Sequence, residues 1–180
     1  MKLYIASSWK NVYYPEVVEQ LQKAGFDVYD FRNPPVGGGF KWSYVADDYM
    51  EWTPQEYIKQ LRTNPLARQQ FKNDIEAMES CDACVLVLPC GRSAHTEAGW
   101  FSGRGKKVIA YLPEKVEPEL MYGLFSDVCC TMEEIIKGLE GSYGWAAHSR
   151  SVKLKEDSVD YSGVAELVVP DGYGREAVAA

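Results

Sequence analysis

Ala83-Cys-Val-Leu-Val-Leu-Pro-Cys-Gly-Arg-Ser-Ala-His-Thr-Glu-Ala-Gly-Trp100 is the stretch whose reading decides the fold. Residues 83–88 form an unbroken apolar run, as expected of a strand covered on both faces. Pro89 ends it. A short polar loop with Gly91 and Ser93 follows, and a small-residue helix is expected over Ala94–Gly103, with Glu97 in or near its first turn. A strand, glycine loop and helix in succession bring backbone N–H groups and the positive end of a helix dipole to the carboxyl edge of a sheet. A carboxylate there is expected to stay ionised and to act as a nucleophile or bind a sugar hydroxyl.

The flanking sequence repeats the alternation. Lys2–Ala6 reads as a first strand. Pro15 starts a helix in which Val17, Val18, Leu21 and Ala24 recur at helical spacing up to Gly25. Phe26–Phe31 alternates like a strand, and Arg32–Gly39, with two prolines and three glycines, is a loop. Phe40–Trp52 is aromatic and acidic without a clean period. Thr53-Pro54 pairs an N-cap with proline at the first helical position. Leu66–Ser80 reads as a longer helix with Phe71, Ile75 and Met78 on one face. Lys107–Leu112 is a strand, Pro118–Leu124 a short helix, Asp127–Cys130 a short strand, and Thr131 caps a helix through Leu139. Alternating strands and helices predict an α/β, doubly wound, five-stranded parallel sheet. The order 2-1-3-4-5 is expected, with a ligand crevice where strands 1 and 3 diverge. Residues 1–141 form this domain. Residues 142–180, rich in Ser, Gly, Lys and Asp with one apolar patch at Val164–Val169, are read as an extension that forms an interface or is partly mobile.

Composition narrows the function. The 180 residues carry a net charge of −7, against the basic face that nucleic-acid binding requires. No apolar run approaches the ~20 residues of a membrane span, and Met1–Ala6 is too short for a signal peptide. Five cysteines, several in apolar runs, read as reduced thiols of a cytoplasmic protein. Cys81-Asp-Ala-Cys84 lacks a second pair at metal-ligand spacing, and His95 and His148 are far apart. No metal and no organic cofactor are expected.

Three side chains stand out. Glu97 as a plain helix-start charge would contribute only ~0.3–1 kcal/mol; its setting among Gly91, Ser93 and Gly99 favours a chemical role. Asp74 precedes Ile75 and so lies at the edge of its helix, near the crevice, whereas Glu76 and Glu79 read as a solvated face. Tyr4, in mid-strand, packs or else orients a carboxylate. Paired carboxylates suit glycosidic chemistry, in which one attacks the anomeric carbon and another acid helps the leaving group depart. Trp9, Phe40, Trp42, Tyr44 and Trp52 would supply a wall for a stacked base or else serve as ordinary loop packing.

Leu3-Tyr-Ile-Ala-Ser-Ser-Trp9, Asn73-Asp-Ile-Glu-Ala-Met-Glu-Ser-Cys-Asp82, His95-Thr-Glu-Ala-Gly-Trp100 and Gly105-Lys-Lys-Val-Ile109 together resemble the nucleoside 2-deoxyribosyltransferase family over roughly residues 2–112. The resemblance implies a flavodoxin-like fold, a nucleophilic Glu97, a base-handling Asp74 and a Tyr4 that positions the nucleophile. It also implies a homo-oligomer. The family's transferases carry an aspartate six residues before the glutamate, and its nucleoside monophosphate hydrolases a serine; this chain has Gly91, then Arg92 and Ser93. An arginine, a hydroxyl and free N–H groups at a helix start suit a phosphate.

The leading expectation is N-glycosidic bond transfer or hydrolysis on a nucleoside or nucleoside 5′-monophosphate through a glutamyl glycosyl-enzyme. Ser7, Ser8, Trp9, Gly91, Arg92 and Ser93 would bind the small-molecule substrate. A nucleotide-binding module without turnover and a glycohydrolase of NAD are the alternatives.

Overall fold

The computed structural model describes residues 1–34 and 39–141; the expected extension at 142–180 lies outside them. Five parallel strands, β1 (Lys2–Ala6), β2 (Asp27–Tyr29), β3 (Ala83–Val87), β4 (Lys107–Tyr111) and β5 (Asp127–Cys129), form one sheet. Their order is β2-β1-β3-β4-β5, as the alternation of elements predicts. The α-helices are α1 (Tyr14–Lys23), α2 (Pro54–Thr63), α3 (Pro65–Ser80), α4 (Arg92–Gly103) and α5 (Met132–Glu140).

The central strands bury side chains on both faces, so their period-2 alternation sorts residues between two cores. Leu3, Ile5, Ala83, Val85, Val87 and Ile109 pack with Val17, Leu21, Ile135 and Leu139 of α1 and α5. Tyr4, Ala6, Cys84, Leu86, Val108 and Ala110 point the other way, onto Ala77 and Met78 of α3 and Ala94, Ala98 and Phe101 of α4. Tyr4 is therefore buried beneath the α3/α4 layer at 2% exposure rather than directed out over the strand ends.

Local sequence sets the helix ends. Thr53 with Glu56, and Thr131 with Glu134, make reciprocal capping boxes. The Asn64 side chain accepts from the Leu66 and Ala67 N–H groups and starts α3 directly after α2. The Asn11 carboxamide oxygen accepts from the N–H groups of Tyr13 and Tyr14 at 2.8 and 3.1 Å and starts α1. At the α4–β4 turn, Gly105 takes φ +69°, which a residue with a Cβ reaches only with strain. The next two lysines then serve opposite faces. Lys106 Nζ donates to the carbonyls of Met78, Glu79 and Cys81 at 3.1, 3.0 and 2.6 Å, closing the end of α3. Lys107 Nζ donates to Gly138 and Leu139 of α5 at 2.6 and 3.3 Å. Free carbonyls at helix C-termini favour cations, so these contacts fix both layers to the start of β4.

Several expectations change. β2 is only three residues long. The Pro118–Leu124 helix is a 3-10 turn over Leu120–Leu124, and β5 stops at Cys129, leaving Cys130 exposed. Helix α4 starts at Arg92 with Gly91 as its N-cap, two residues earlier than Ala94. Glu97 thus sits in the second turn, beyond the N–H groups that the dipole argument relied on. Phe71 is not core: at 65% exposure it faces outward from α3.

Candidate active site

A cleft of about 1020 Å³ opens on the α3/α4 face. Asp74, Ile75 and Met78 of α3 form one side. Arg92, Ser93, Thr96, Glu97 and Trp100 of α4 form the other, and Trp42, Tyr57 and Phe71 line it further out. Helical periodicity explains the set: 74, 75 and 78 share one face of α3, and 92, 93, 96, 97 and 100 share one face of α4. Small buried residues behind them, Ala77, Ala94 and Ala98, let both helices lie close to the sheet.

The Tyr4 hydroxyl faces Glu97 from below and favours its ionised form as a donor. Burial opposes this more strongly, and the negative charge of Asp74 adds to burial, so the Glu97 carboxyl is pushed up to about 7. The Asp74 carboxyl is also raised by burial, partly offset by a hydrogen bond from Gln70 Nε2 to Asp74 Oδ1 at 2.7 Å. The expected fully ionised glutamate is thereby corrected. Low solvation and the like charge of Asp74 dominate, so Glu97 holds its proton up to near neutral pH. Burial and the two nearby carboxylates push the Tyr4 phenol far up, so it remains a donor.

Tyr29 belongs to the same neighbourhood and escaped the sequence reading. It is the in-register partner of Tyr4 across β1 and β2, and the two rings stack 5.5 Å apart at 11°. Its phenol is raised by burial and then by Asp74 and Glu97. A tyrosine on the strand next to β1, at matching register, is the signal that would have found it.

The substrate-binding expectations divide. Arg92 and Ser93 line the cleft mouth at the uncapped start of α4, and among the described residues no carboxylate pairs with Arg92. Gly91 supplies the N-cap, and its carbonyl contacts His95 Nδ1 at 2.9 Å. Ser7, Ser8 and Trp9 do not line the cleft. Ser7 Oγ donates to the Val87 carbonyl at 2.8 Å, and Asn11 Nδ2 donates to Val87 and Pro89 carbonyls at 3.2 and 3.0 Å. Arg32 Nη2 holds the Ser8 and Asn11 carbonyls, both at 2.8 Å. The loops that follow β1 and β3 are laced together by these bonds, and the open space lies between α3 and α4 instead. Trp9 packs edge-on against Phe31. Of the expected aromatic wall, Trp42 reaches the cleft, braced edge-to-face by Phe40 and Trp52 at 5.0 and 5.7 Å; Tyr44 is exposed. Tyr57, Phe71 and Trp100 complete the wall, with Phe71 on the helix face it shares with Ile75 and Met78.

No family model matches the chain, and no curated protein matches it in sequence. Solved structures do. A 2-deoxyribosyltransferase from the psychrotolerant bacterium Bacillus psychrosaccharolyticus superposes with a TM-score of 0.53 at 17% identity, over 82% of this chain and 95% of that one. The chain shares the fold of that deoxyribosyltransferase. A conserved protein from Enterococcus faecalis V583 matches with a TM-score of 0.51 at 15% identity, over 79% of this chain and 99% of its own. A CMP N-glycosidase from Clostridium botulinum matches at 0.44 and 18% identity over 78% and 99%, too distant to weigh on the fold. In this fold Asp74 of α3 and Glu97 of α4 line one cleft, and Tyr4 of β1 lies buried beneath Glu97. Shared architecture leaves the chemistry to be argued from those groups. Among the described residues no cluster of His, Cys, Asp and Glu has the makings of a metal site, and no helix is long and apolar enough to cross a membrane.

Proposed function

We propose that the protein breaks the N-glycosidic bond of a nucleoside or nucleoside 5′-monophosphate, passing the sugar to another base or to water. The observation that carries this reading is the pairing of Glu97 and Asp74 in one cleft, with buried Tyr4 donating to Glu97 and Glu97 pushed up to about 7. Two neighbouring carboxyls in one poorly solvated cleft divide the roles. The ionised Glu97 attacks C1′, and its oxygen forms the new bond while the C1′–N electron pair leaves with the base. In the reactive form Glu97 is ionised and Asp74 carries the proton, which it gives to the departing base. Tyr4 orients Glu97 from beneath. A second base or a water then displaces the sugar and restores the acid.

Trp42, Tyr57, Phe71 and Trp100 offer apolar faces for the base. Arg92, Ser93 and the uncapped N–H groups of α4 suit a 5′-phosphate. The likeness in fold to a 2-deoxyribosyltransferase supports a sugar–base substrate.

Incubation with a mixed pool of nucleosides and nucleotides, followed by mass spectrometry of small molecules and of intact protein, tests the reading. Free base is expected from the wild-type chain, with a sugar adduct on Glu97 when acceptor is withheld. A wild-type protein that releases no base from any member of the pool overturns it.

A further inference from the structure

Asp74 is contacted from behind by a residue that lies outside the cleft. Gln70 precedes it by one turn of α3, and its Nε2 donates to Asp74 Oδ1 at 2.7 Å. Among the described residues, no group hydrogen-bonds Asp74 Oδ2. Asp74 lines the cleft and Gln70 does not. We infer that Gln70 is a positioning residue: it occupies one oxygen of Asp74, so that the proton of the acid form sits on the other, facing the bound base.

The chemistry follows from the donor inventory. An amide N–H directed at Oδ1 favours that oxygen as the carbonyl acceptor of the acid form, and so favours the proton on the other oxygen. The acid proton is then biased toward Oδ2. A carboxyl free to rotate would present it there only part of the time. An (i, i+4) pair on a helix holds this geometry cheaply because both side chains already project from one stripe. The remaining groups around Asp74 do not do the same work. Glu97 on α4 is a like charge, Tyr4 and Tyr29 approach from β1 and β2, and Arg92 lies across the cleft.

This inference rests on the reading of Asp74 as the acid for the leaving base. Gln70→Met keeps the length and helix propensity of the side chain and removes the donor. For a neutral purine or pyrimidine the C1′–N electron pair must be protonated as it leaves. For an N-pyridinium riboside the base departs already neutral and takes no proton. The ratio of kcat/KM for the neutral base to that for the pyridinium substrate is expected to fall about tenfold in Gln70→Met. A merely structural role would lower both together and leave the ratio unchanged, which would overturn the inference. A second readout needs no turnover. Carboxyl ¹³C NMR titration should place the Asp74 midpoint higher in Gln70→Met than in the wild type, because a hydrogen bond that favours the ionised form is gone. An unmoved midpoint also overturns the inference. Absence of cleavage by the wild-type chain on every N-glycoside tried would sink the proposed function instead, and the titration would still decide the Gln70 contact.

Discussion

The two faces of the sheet are built from the same strands and do different work. On the α1/α5 face, Leu3, Ile5, Val85, Val87 and Ile109 meet Val17, Leu21, Ile135 and Leu139, and a close-packed aliphatic layer results. On the α3/α4 face the helices contribute alanines, the strand contributes Tyr4, and the helix edges contribute Asp74 and Glu97 to an open cleft. The first face stabilises without chemistry. The second leaves two carboxyls poorly solvated and close enough to repel, which costs stability but makes one of them a weak acid near neutrality. A single residue step along β1, from Leu3 to Tyr4, crosses from one regime to the other.

The comparison breaks first at Glu97. Glu97→Ala is expected to fold normally by circular dichroism and to lose roughly 10⁴-fold or more in base release, measured by chromatography. Retained turnover would place the chemistry elsewhere. The opposite face should respond in the opposite way. Ile135→Ala is expected to cost about 2–5 kcal/mol in urea unfolding through the cavity it leaves, with kcat unchanged on the folded fraction. A loss of kcat without loss of stability would mean that the two faces are not separate.

A third test uses the sign of the Glu97 shift. Its carboxyl titrates at about 7 in the fold against 4.5 as its ordinary value, so the folded state favours the protonated form. The stability this contributes is complete below about pH 4.5 and is lost as pH rises through about 7. Glu97→Gln, which cannot ionise, should be more stable than the wild type at pH 8 by up to about 3 kcal/mol, with the difference vanishing near pH 4. Thermal melts at both pH values check this, and an advantage that is equal at both would contradict it. Tyr4→Phe removes the donor that favours the ionised glutamate. Its rising pH–rate limb is expected above the wild-type limb near pH 7, with kcat about tenfold lower at neutral pH. The smallest effect is expected at the cleft mouth. Arg92→Ala should raise KM several-fold for a nucleoside 5′-monophosphate and leave the matching nucleoside unaffected; equal effects on both would remove the phosphate contact.

Much of this was legible from residue patterns, because the relevant forces are local or periodic. The capping residues Thr53 and Thr131, the apolar run Ala83–Leu88 and the alternation of elements all act within one element or its neighbour. Other features were not legible. Ser7, a candidate for substrate, instead bonds the Val87 carbonyl, 80 residues away in sequence. The start of α4 moved to Arg92 because Gly91 caps it without a side chain, and this carried Glu97 from the first turn to the second. Phe71 satisfied the helical period of a core residue, yet it is exposed at the outer part of the cleft.

The order of the strands and the identity of Tyr4, Asp74 and Glu97 as the side chains to watch came from the sequence alone, since hydrophobic period and turn chemistry are written locally. Which loops close on each other, which aromatics border the cleft, and the exchange of a readily ionised glutamate for one that holds its proton to near neutral pH were decided only in three dimensions. Desolvation and Coulomb repulsion depend on how far apart groups lie in space, and spacing along the chain does not encode that distance.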